Sequence, residues 1–119
     1  MPENADFNAV FARLKQILEI YAPELKIEHD VPGRYHLVTN LLGPNKQPIW
    51  FGGVEIKKNY VSYHLIPVYM FPDILDSVSD SLKRRMQGKS CFNFKKLDEP
   101  LMSELADLTR RGFERVKQV

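Results

Sequence analysis

The residues "FGGVEIKKNYVSYHL", positions 51–65, hold the side chains of this sequence best suited to chemistry. His64 carries an imidazole that donates or accepts near neutral pH, Glu55 a carboxylate and Ser62 a hydroxyl. Gly52 and Gly53 interrupt the same stretch, where glycine costs roughly 0.5–1 kcal/mol relative to alanine. If Lys58 and Asn59 form a two-residue turn, Lys57 faces Tyr60, Ile56 faces Val61, Val54 faces Tyr63 and Gly52 faces Leu65. That set, completed by Trp50, is apolar and belongs on the core side, with Gly52 admitting a helix that carries Gly112. The opposite set pairs Glu55 with Ser62, Gly53 with His64 and Phe51 with Ile66. There Gly53 leaves a shallow pocket walled by His64 and floored by Phe51 and Ile66, suited to an anion, a metal ion or a polar small molecule. A bulge or bend in a twisted hairpin is the competing reason for the glycine pair. An enzyme built here would use His64 as general base and Glu55 as its orienting partner.

Other chemistry is sparse. The sequence has no Walker-type phosphate loop, no dinucleotide fingerprint and no G-x-S-x-G elbow. His29, His36, His64 and Cys91 are scattered without the close spacing of a zinc site, which leaves convergence in space as the one route to a site built from them. Cys91, beside Phe92 in a short strand, reads as a buried inert thiol. A single cysteine forms no internal disulfide and implies no oxidising compartment. The start "MPENADF" lacks the basic and apolar regions of a signal peptide, and runs such as "HLIPVYMF" fall far short of the ~20 residues that span a bilayer. The expectation is a soluble, cytoplasmic protein with no membrane partner.

The net charge of +2 is too mild to imply nucleic acid. Residues 1–72 balance seven Lys/Arg against seven Asp/Glu, so the excess falls in residues 73–119, with ten against eight. Lys83, Arg84, Arg85, Lys89, Lys95 and Lys96 cluster near Phe92 and Phe94, and Arg110, Arg111, Arg115 and Lys117 follow on the last helix. Interleaved Asp80, Glu104, Asp107 and Glu114 make an ordinary solvated surface the stronger reading than a polyanion site.

The elements that must position these residues follow from periodicity. Phe7, Val10, Phe11, Leu14, Ile17, Leu18 and Tyr21 recur at helical spacing, with Asn4 or Asp6 as cap and Pro23 as terminator. "LKIEHD" alternates, placing Leu25, Ile27 and His29 on one side, and "VPGR" turns the chain into the strand "YHLVTNLL". "GPNKQP" is a loop, and the stretch quoted first supplies the third and fourth strands. Ile74, Leu75, Val78, Leu82 and Met86 suit a helix over about 73–86, broken near Ser77–Ser79, with Gly88 at its end. "SCFNF" is a fifth strand, and Asp98 caps a helix to about Lys117. At 44% apolar, 119 residues suffice for one domain spanning the whole chain. Its expected class is α+β: a two-layer sandwich of a mostly antiparallel five-stranded sheet with the helices on one face. The leading functional expectation is a non-enzymatic domain. It would bind a small ligand or protein partner on the open face at Phe51, Gly53, Glu55, Ser62, His64 and Ile66. An apolar strip on that face would also serve a homodimer.

The segment "YVSYHLIPVYMFPDI…LKRRMQGKSCFNFKKLDEPLMSELADLTRRGFERV" resembles the YdhG-like family of small bacterial domains of unknown function. The likeness rests on the "YVSYHL" strand, the proline–aromatic stretch, "GKSCFNF" and the acidic-proline start of the last helix. Part of that family is frataxin-like in fold. The resemblance therefore implies an alternative function, an iron chaperone for iron–sulfur cluster assembly. The metal candidates it implies are Glu24, Glu28, His29 and Asp30, beside Glu3, Asp6 and Glu19 on the first helix.

Overall fold

An apolar stripe on the first helix and another on the last sandwich the core against one sheet. The computed structural model describes residues 2–43, 46–88 and 90–117, with side chains from Phe7 onward except Asn40 and Leu41. Helix α1 (Pro2–Glu19) buries Phe7, Val10, Leu14, Ile17 and Leu18, the residues its 3.6-residue spacing brings to one side. The cap expected at Asn4 or Asp6 lies outside the described side chains. Strands β1 (Lys26–Val31), β2 (Arg34–Leu42), β3 (Pro48–Ile56), β4 (Val61–Leu65) and β5 (Cys91–Phe94) form a sheet in that order, every neighbouring pair antiparallel.

The β3–β4 hairpin has the expected register. Gly52 lies opposite Leu65, Gly53 opposite His64, Val54 opposite Tyr63 and Glu55 opposite Ser62, and the Lys57 amide donates to the Tyr60 carbonyl at 2.8 Å. Val54, Tyr63 and Phe92 point into the core with Tyr35 and Leu37. There the Tyr63 hydroxyl bonds Thr109 at 2.7 Å, and burial holds its pKa well above the ordinary tyrosine value. Helix α4 (Glu99–Lys117) closes the core with Leu101, Met102, Leu105, Leu108, Phe113 and Val116. Asp98 caps it, accepting from the Leu101 amide at 3.4 Å.

Between β4 and β5 the chain is interrupted where expected, near Ser77–Ser79, but the pieces on either side are single turns rather than the halves of a helix over 73–86. A short helix α2 (Ile66–Met70) follows β4 directly, then a 3-10 turn at Pro72–Leu75 and one turn of helix α3 (Asp80–Lys83). Ser79 is the reason for the interruption. It is extended, its hydroxyl accepts from the Leu82 amide at 3.2 Å, and Glu104 of α4 accepts from its backbone N at 2.5 Å and its Oγ at 2.7 Å. Gly88 has the left-handed φ of +84°, yet it ends a turn beyond α3 rather than a long helix.

Gly112 does meet a close neighbour, but not Gly52. A Cβ at position 112 would lie 2.8 Å from Pro67 Cβ, so this glycine seats α2 against α4. Gly52 instead faces Leu18 of α1, with the His64 carbonyl 2.8 Å from where its Cβ would be. No described helix is long and apolar enough to cross a membrane.

Candidate functional site

Strand register assembles what sequence spacing scattered. Across the sheet His29 lies opposite His36, His36 opposite Gly53, Gly53 opposite His64, and His64 opposite Cys91. All three histidines of the chain and its one cysteine thus share a single transverse row, which includes Gly53. The adjoining row on the same face carries Arg34, Glu55, Ser62 and Asn93. Both rows lie on the sheet face opposite the core.

Two β-bulges set which side chains reach that face. In β3 the register shifts between Leu37 and Val38: Leu37 lies opposite Gly52 and Val38 opposite Trp50, leaving Phe51 as the extra residue. Phe51 consequently turns into the core, fully buried, with its ring 5.8 Å from that of Phe113 and 6.1 Å from that of Tyr21. The expected open-face position of Phe51 and core position of Trp50 are therefore exchanged. Ile66 does not face Phe51 either, because β4 ends at Leu65 and Ile66 opens α2. In β1 the register shifts between Ile27 and His29, leaving Glu28 extra and placing His29 beside His36 instead of on Ile27's side.

The spot beside Gly53 is filled. A Cβ there would lie 2.5 Å from His36 Cδ2 and 3.0 Å from Trp50 Cζ2. The absent side chain makes room for an aromatic row rather than a pocket: His29–His36 at 5.1 Å between centroids, His36–Trp50 at 4.9 Å and Trp50–His64 at 5.1 Å. The Trp50 indole N–H is buried and has no hydrogen-bond partner among the described residues.

Polar contacts bind the face together. Glu55, expected to orient His64, instead accepts from His36 Nε2 at 3.0 Å and from Lys57 Nζ at 2.9 Å, with Arg34 3.7 Å away. Burial pushes the Glu55 carboxyl up, but the bonds from Lys57 and His36 outweigh it and hold its pKa below the ordinary glutamate value. Burial lowers the pKa of His36 despite the bond to Glu55, and lowers that of His64 as well. Both rings are neutral at neutral pH. His64 Nε2 is bonded to Ser62 Oγ at 3.1 Å, and the same hydroxyl sits 2.8 Å from Cys91 Sγ. Cys91 is half-buried, within reach of Asn93 Oδ1 at 3.5 Å.

Of the expected site, the structure brings together Gly53, Glu55, Ser62 and His64, and removes Phe51 and Ile66. Sequence reasoning missed His36, Trp50 and Cys91 as members. For His36 a signal existed: a two-residue turn at Pro32–Gly33 pairs Val31 with Arg34 and, two steps on, His29 with His36. The bulge that admits Trp50 adjoins the Gly52–Gly53 pair, the feature expected to mark a bulge or bend, whereas the one at Glu28 leaves no such mark.

The implied metal candidates do not converge. Asp30 is paired with Lys15 of α1 at 3.1 Å, and Glu24 sits in the 3-10 turn before β1. Only Glu28 and His29 stay together, 3.9 Å apart. On the helix side the arginines are matched: Arg110 with Asp107 and Glu114, Arg111 with Asp107, and Arg115 with Asp73. Comparison with protein-family models, curated proteins and solved structures returns no match for this chain.

Proposed function

We infer that this is a cytoplasmic, non-enzymatic binding module whose working surface is the helix-free face of the sheet, taking a small polar ligand or a partner's polar surface there. The observation that carries the reading is the convergence of His29, His36, Trp50, His64 and Cys91 on one face, through five strands and two bulges. A neutral imidazole offers one donor and one acceptor, and the buried Trp50 N–H is a donor that has no acceptor among the described residues. Binding suits this surface better than catalysis. Ser62, the hydroxyl bonded to His64, is 2% exposed, and the carboxylate that would orient His64 is engaged by His36. The carboxylate set of the iron-chaperone alternative draws no support from the placements of Glu24 and Asp30.

Thermal-shift screening against a panel of polar metabolites and inorganic ions tests the reading. A compound that raises the melting temperature of the wild type, with the effect removed in His64→Ala or Trp50→Phe, is the expected result. A panel that stabilises nothing, or stabilisation indifferent to both substitutions, would overturn it.

A further inference from the structure

Glu28, His29 and His36 each bring one ligand atom to a common point, and the three atoms lie within 4.8 Å of one another. We propose that these residues form a binding site for a borderline divalent transition-metal ion such as zinc, at the β1 end of the histidine row. The proposal rests on the helix-free face being the working surface, and names the ligand class for one end of it.

The β1 bulge makes the constellation feasible. In a regular strand, consecutive Glu28 and His29 would project to opposite faces. With Glu28 as the extra residue opposite the His36 region, both side chains reach the same side. Two imidazoles and one carboxylate are the donor set that suits zinc with its fourth position open. All-oxygen ligation, which calcium and magnesium prefer, is not what this cluster offers.

His36 is prepared for that role. An ionised carboxylate only accepts, so the 3.0 Å bond from His36 Nε2 to Glu55 places the ring proton on Nε2 and leaves Nδ1 as a bare lone pair. A carboxylate behind a histidine fixes ring orientation and raises ligand basicity. Lys57 and Arg34 keep Glu55 ionised, and Trp50 and the Gly53 backbone hold the ring in place. The other two ligands are exposed by contrast: the side chains of Glu28 and His29 are 51% and 44% exposed. They can close from the observed separation to the roughly 3.3 Å between ligand atoms of a tetrahedral zinc site. One fixed ligand and two that swing in make an ordinary capture arrangement.

Titration with zinc and with cobalt(II), the latter read by its visible d–d absorption, tests the site in the full chain. Histidine ring NMR signals are followed in parallel. The expected result is one equivalent of metal, tetrahedral cobalt absorption, and selective shifts of the His29 and His36 rings. His29→Ala, at an exposed position, should weaken zinc at least about tenfold, and Glu55→Gln by about 10–100-fold through loss of ring positioning. Asp76→Asn, an exposed carboxylate outside the cluster, should leave affinity unchanged. Absence of binding at millimolar zinc in a folded protein would overturn the proposal. So would affinity unaltered by His29→Ala, or shifts confined to His64 and Cys91. If zinc fails while a panel compound still perturbs Trp50 and His64, the metal site falls and the broader reading stands. If both fail, both fall.

Discussion

Gly53 is where a single atom decides the arrangement of the face. A Cβ would have to occupy space 2.5 Å from His36 Cδ2, 3.0 Å from Trp50 Cζ2 and 3.1 Å from the Tyr35 carbonyl oxygen. Gly53→Ala should therefore destabilise the fold by about 1–3 kcal/mol, as overpacking does. Urea unfolding checks the energy, and a shift of Trp50 emission in the folded state shows that the indole has moved. An unchanged midpoint would mean that the aromatic row yields freely. At the same scale, His64 sets a pH dependence. Burial lowers its pKa; Glu55 opposes that effect while His36 and Lys57 add to it, and Ser62 holds the ring nitrogen. The unfolded chain, with its histidine near 6.5, then binds more protons than the folded one between that value and the lowered native pKa. Stability should fall as pH drops through this window, and His36 acts in the same direction. Unfolding midpoints at pH 7.5 and 5.5 measure the fall, which His64→Gln should reduce.

At the scale of elements, the legible part of the fold was whatever rests on periodicity and turn chemistry. The stripes of α1 and α4, the Asp98 cap and the Lys58–Asn59 turn each follow from local residue types, and the β3–β4 register follows from that turn. What the sequence hid depends on contacts between segments. The Gly52–Gly53 pair in β3 marks a bulge or bend but not which residue is extra, and that residue, Phe51, exchanges Phe51 and Trp50 between faces. The break near Ser77–Ser79 was legible, but what fixes it was not: Glu104 of α4 bonds both the Ser79 backbone N and its Oγ. The packing of α2 on α4 gives an element-level test. Gly112→Ala would gain about 1 kcal/mol of helix propensity but place its Cβ 2.8 Å from the rigid Pro67 ring. The clash should win, leaving a net loss of about 1 kcal/mol in denaturant unfolding. A stabilised variant would show that α2 moves aside at little cost.

For the molecule as a whole, α1, α4 and the strands β2 to β5 share one cluster of buried side chains, while β1 lies exposed at the sheet edge. The Cα radius of gyration of 13.7 Å matches the roughly 13.5 Å expected of a compact chain of this length. Unfolding should then be a single cooperative step. Trp50, the only tryptophan, stands on the helix-free face, whereas far-UV circular dichroism reports chiefly the helices on the other. The two probes should give coincident transitions, and an earlier fluorescence transition would mark the face as separately labile. The central claim is that this face, and not the helical one, is the binding surface. Amide and ring NMR mapping of the first compound or ion found to stabilise the protein tests it most directly. Perturbations gathered on His36, Gly53, His64, Cys91 and the Trp50 indole, with α1 and α4 unmoved, are the result expected. Perturbations confined to the outer surfaces of α1 and α4 would contradict it.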